Sequence, residues 1–105
     1  MKAAFIRKTG DPEVIEYGDM PDPQPGLSQV LVKVTAVAVN PIDTYNSSGA
    51  IALPLEYPYI IGCDLAGVVE RVGEEVQRCQ PGDRVWCSKQ GLFGGAGSFA
   101  ECSAV

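Results

Sequence analysis

Apolar residues along this chain recur in short runs with a two-residue period, and no helical pattern is sustained beyond about ten residues. Ala3 to Arg7 predicts a first strand. Val14 to Tyr17 predicts a second, after a turn at Gly10-Asp11-Pro12. The proline-rich stretch from Pro21 to Gly26 then imposes an extended path, because each proline locks φ and lacks an N–H. Gln29 to Val39 carries the strongest strand pattern. Val30, Val32, Val34, Ala36 and Ala38 share one face, and Val37 and Val39 make the other face apolar as well, so the strand is expected to enter the interior as it nears Asn40. Asp64 to Val72 predicts another long strand, with Ala66 and Gly67 small enough for a second backbone to approach closely. Gln80-Pro81-Gly82-Asp83 suits a type II turn leading into a strand from Arg84 to Ser88. Ser98 to Val105 predicts the last strand.

Many short strands joined by Gly/Pro turns predict a mainly β fold with short helical turns, a barrel or a sandwich. A length of 105 residues fits one domain with one modest core. Thirteen acidic and eight scattered basic side chains give a net charge of −5, which argues against a nucleic-acid partner. The opening apolar run, Ala3 to Ile6, is too short for a signal-peptide core, and nothing approaches the ~20 apolar residues of a membrane span. A cytoplasmic location is the expectation, and with it four free thiols rather than disulfides.

Three segments could carry chemistry. In Asn40-Pro41-Ile42-Asp43-Thr44-Tyr45, asparagine suits an N-cap, proline the first helical position, and Asp43 can reach back to the cap N–H; Gly49 can end the resulting short helix. That strand-to-helix corner would also present amide and hydroxyl groups to a cleft. In Gly62-Cys63-Asp64, the cysteine and aspartate are conceivable metal ligands. A catalytic zinc needs three converging ligands, however, and the chain has no histidine and no CxxC pair. Cys63 is otherwise a small buried residue. The spelling Gly95-Ala96-Gly97-Ser98-Phe99-Ala100 matches a dinucleotide fingerprint, but such a motif works only between a strand and a helix, and a strand follows here.

Read together, Gly10-Asp11-Pro12-Glu13-Val14, Asn40 to Tyr45, Gly62 to Val69, Pro81-Gly82-Asp83-Arg84-Val85 and Gly97-Ser98-Phe99-Ala100-Glu101 resemble the N-terminal, GroES-like domain of the medium-chain dehydrogenase/reductase superfamily. Within it the chain is most similar to the zeta-crystallin-like quinone oxidoreductases, which use NADPH without zinc. The resemblance implies a partly open GroES-like β-barrel over residues 1–105 and no Rossmann domain in this chain. Zinc alcohol dehydrogenases of the superfamily carry a cysteine where Asn40 stands and Gly-His-Glu where Gly62-Cys63-Asp64 stands. Both differences imply a metal-free site.

By the same resemblance, Asn40 and Tyr45 would be catalytic, and Asn40, Asp43 and Tyr45 would line the nicotinamide and substrate cleft. An aromatic residue common two positions beyond the family's glycine is Ile51 here. The implied parent enzyme reduces a quinone or an α,β-unsaturated carbonyl as a homo-oligomer, and the chain alone is expected to be an inactive N-terminal fragment. A stand-alone GroES-like binding module, or an enoyl-reductase fragment of a larger synthase, is the alternative.

Overall fold

The computed structural model describes every residue from Met1 to Val105. Seven strands and one α-helix follow one another as β1 (Lys2–Ile6), a single 3-10 turn (Pro12–Val14), β2 (Ile15–Asp19), β3 (Val30–Ala38), α1 (Pro41–Ser48), β4 (Tyr59–Ile60), β5 (Asp64–Val72), β6 (Arg84–Cys87) and β7 (Cys102–Ala104). They form two antiparallel sheets, ordered β2-β1-β4 and β6-β5-β3-β7, which are not closed into a barrel. The mainly β architecture thus holds, with the two sheets separate rather than joined in a barrel.

Most strand boundaries follow the periodicity. Val14 is drawn into the 3-10 turn, so β2 begins one residue later than the pattern predicts. Strand β4 was not foreseen. It follows Pro58 immediately and has only two residues, too few to show any alternation. The last strand shrinks from Ser98–Val105 to Cys102–Ala104, because Ser98 and Phe99 bond to the main chain at Gly62 and Ile61 instead, and Ala100 makes only an isolated bridge to Ala3.

The end of β3 corrects the expectation that the strand enters the interior. Leu31 and Val32 are buried, but every residue from Thr35 to Val39 is exposed. Two features explain this. Strand β7 covers only Leu31–Lys33, leaving the second half of β3 with β5 as its single neighbour. In addition, a register shift at Val34/Ala36 leaves Thr35 unpaired, which resets the alternation of faces.

Gly67 makes the β3–β5 pairing possible. A Cβ there would lie 2.1 Å from the Lys33 carbonyl oxygen, so only glycine lets the strands approach this closely. Ala3, Phe5 and Ile60 form one small core cluster; Ile6, Tyr59 and Ile61 form another. Only 20 of 105 residues are buried, which leaves large side chains such as Trp86 (78% exposed) and Phe93 (91%) in solvent.

Candidate functional site

The corner where β3 runs into α1 is built as its local chemistry dictates. Asn40 is the N-cap in extended conformation, Pro41 opens the helix, and Gly49 closes it at φ 83° with its N–H on the Tyr45 carbonyl at 3.1 Å. The Asp43 carboxylate accepts the Asn40 N–H at 2.8 Å through Oδ2. The Asp43 N–H faces the Asn40 side chain in the reciprocal capping arrangement, and bonds the Asn40 main-chain carbonyl at 3.0 Å.

A partner from another strand completes the corner. Asn40 Nδ2 donates to Asp64 Oδ2 at 2.8 Å, across the Ala38–Asp64 step of the β3–β5 ladder. A carboxylate is acceptor only, so this bond fixes which end of the Asn40 amide is nitrogen. Asn40 and Asp64 are both half-buried. The Asp64 side of the corner opens onto a groove of about 310 Å³ lined by Val37, Ala38, Leu65, Trp86 and Cys87. A larger hollow of about 490 Å³, among Val30, Val32, Val76, Val85 and Val105, contains no group of this corner.

Beneath α1 lies a polar cluster that sequence reasoning recovered only in part. The buried face of the helix is Asp43, Asn46 and Ser47. Asp43 is 3% and Asn46 1% exposed, and Asp43 Oδ1, Asn46 Oδ1 and Asn46 Nδ2 are all without a hydrogen-bond partner. The Cys63 thiol meets Asp43. Burial, then the adjoining Asp43 carboxylate, then the charge of Asp64, push it up to about 12. The Tyr59 hydroxyl is also pushed up to about 12, first by burial and then by the charges of Cys63 and Asp43, with the neighbouring Asn46 amide opposing the shift. It donates to the Gly91 carbonyl at 3.4 Å. Cys63 is therefore a buried, protonated thiol rather than a nucleophile.

The structure thus brings Asn40 and Asp43 together and adds Asp64. Tyr45 stands apart: it is 46% exposed, off the face that carries Asp43 and Asn46, and makes no side-chain hydrogen bond. Asn46 was legible in principle, since positions three apart share one face of a helix. In the sequence Asp64 stands out only as a conceivable metal ligand, and no three His, Cys, Asp or Glu side chains gather in a metal-holding group. At the fingerprint-like Gly95-Ala96-Gly97 no helix follows; a Cβ on Gly97 would strike the Ile60 and Gly62 carbonyl oxygens.

Residues 26–105 match the family model of the alcohol dehydrogenase GroES-like domain. The chain is 42% identical over 101 residues to a quinone oxidoreductase of Mus musculus, covering 95% of this chain and 30% of that protein. Among solved structures, a Pseudomonas syringae quinone oxidoreductase matches with a TM-score of 0.88 at 38% identity, over 99% of this chain and 30% of the other. An Escherichia coli quinone oxidoreductase complexed with NADPH matches with a TM-score of 0.86 at 26% identity, over 100% of this chain and 31% of the other. The chain therefore spans about a third of the length of these relatives.

Proposed function

Because this chain belongs to the alcohol dehydrogenase GroES-like domain family, we propose that it forms the substrate-side domain of an NADPH-dependent, zinc-independent quinone or enone reductase. The observation that carries this reading is the Asn40–Asp64 hydrogen bond at the strand-to-helix corner. It joins two positions that would otherwise be free to reach a ligand, and does so without histidine. A zinc reading would need a third converging ligand.

The residues fit a nicotinamide. With one N–H on Asp64 and its oxygen side against the Asp43 N–H, the Asn40 amide keeps one donor and acceptor capacity. That pair complements a carboxamide. When bound, the cofactor supplies hydride. Asn40 and Asp43 hold the cofactor end of the cleft, and the half-exposed Tyr45 hydroxyl is a donor for the acceptor's carbonyl oxygen. Conjugation in a quinone or enone carries the developing negative charge to that oxygen. A donor aimed there stabilises the transition state by about 3–4 kcal/mol in comparable sites. The activity belongs to the full-length protein, in which a nucleotide-binding domain would follow; this segment alone would be inactive.

Steady-state kinetics of full-length Tyr45→Phe and Asn40→Ala with NADPH and a quinone test the reading. Turnover should fall by about 100- to 1,000-fold for Tyr45→Phe, which removes the oxyanion donor, and should also fall for Asn40→Ala, which unseats the cofactor end of the cleft. Unchanged turnover in both would overturn it.

A further inference from the structure

From the geometry around Asn40 we infer that Asp64 is a positioning residue, which pins the Asn40 amide and, with Asp43, makes this corner electrostatically selective for the cationic, oxidised form of the nicotinamide cofactor. The inference rests on the cofactor reading above and deepens it.

Asn40 is held from two sides by carboxylates, Asp64 Oδ2 on its side-chain nitrogen and Asp43 Oδ2 on its main-chain nitrogen, each at 2.8 Å. Neither carboxylate is in a salt bridge. The chain's ion pairs are Met1–Asp22, Lys2–Asp19 and Arg7–Glu16. Asp43 is 3% exposed, and no N–H or O–H reaches its Oδ1. Asp64 is half-buried at the edge of the apolar groove beside Trp86, which shields part of its charge from water. An anion placed against Asn40 would meet two like charges behind the amide. A cation would be stabilised by both.

This assigns different tasks to the two proposed catalytic side chains. Asn40, backed by Asp64, is a poor donor to a developing oxyanion and a good neighbour for a ring that acquires positive charge. The oxyanion task then falls to Tyr45, which has no carboxylate hydrogen-bonded to it.

The discriminating quantity is the ratio of the dissociation constants for NADP+ and NADPH, because the two differ in charge at the nicotinamide. It is measured by equilibrium titration of the full-length protein without substrate. Asp64→Asn keeps an acceptor for Asn40 but removes the charge, and should weaken NADP+ relative to NADPH by about three- to ten-fold. Asp64→Glu keeps the charge and should restore most of the ratio. A purely structural role would weaken both nucleotides equally, so an unchanged ratio in Asp64→Asn overturns the inference and leaves the proposed function standing. Failure of the wild type to bind either nucleotide overturns both. Should Asp64→Asn not fold, Asp64→Ser removes the same charge and carries the same expectation.

Discussion

Replacing Gly67 by alanine adds one methyl group at the centre of the β3–β5 pairing, and the structure sets the size of the response. The new Cβ would sit 2.1 Å from the Lys33 carbonyl oxygen, 2.7 Å from Val32 Cγ1 and 2.9 Å from the Lys33 carbonyl carbon. Two of these atoms are backbone in a paired strand, so no side-chain rotation relieves the clash. Opening the gap to even 3.0 Å displaces β3 from β5 by about 0.9 Å, and overpacking of this kind costs about 1–3 kcal/mol before any ladder hydrogen bond is lost. With one or two ladder bonds weakened at about 1 kcal/mol each, the total is about 2–5 kcal/mol. The opposing gain from removing a flexible glycine is only about 0.5–1 kcal/mol. Against a total stability of about 5–15 kcal/mol this is a large fraction. In urea denaturation followed by far-UV circular dichroism, the midpoint should fall by about 1–2 M at an m-value near 2 kcal/mol/M. Gly82→Ala is the control. Gly82 has φ +97° but nothing within 4 Å of an added Cβ, so only backbone strain of about 1–2 kcal/mol applies. A Gly67→Ala midpoint within about 0.5 M of wild type, or a Gly82→Ala effect as large as that of Gly67→Ala, would refute the close-approach argument.

Alkaline pH should destabilise the fold. Cys63 rises from 9.0 to about 12 and Tyr59 from 10.0 to about 12, so the unfolded chain releases these protons first. Their stabilising contribution is intact below pH 9 and declines up to about pH 12, each group adding a slope approaching 1.4 kcal/mol per pH unit within its own window. Urea midpoints at pH 8 and pH 10.5 should differ in that direction, and Cys63→Ala should flatten the dependence; equal midpoints in the wild type would contradict it. Asp43→Ala removes the carboxylate that accepts the Asn40 N–H at the start of α1. It should cost about 1–2 kcal/mol, read as a lowered thermal midpoint. It should also leave Cys63 easier to ionise, read as faster thiol alkylation at pH 9, because the carboxylate that raises its pKa is gone.

What the sequence determined by itself was local. Alternation located β1, β3 and β5; Asn40, Pro41, Asp43 and Gly49 announced the helix and its two ends; Gly67 and Gly82 marked a close approach and a positive-φ turn. Each depends on neighbours a few residues away, where residue type dictates backbone preference directly. Tertiary structure alone decided the rest. Asp64 meets Asn40 only because β5 pairs with β3 in the register that sets Ala38 opposite Asp64. Asn46, Tyr59 and Cys63 form one cluster with Asp43 only because α1 lies over the segment running from β4 into β5. The apolar run from Val37 to Val39 could not reveal that it stays exposed, because burial is decided by whichever layer covers a strand, and β7 ends its coverage at Lys33.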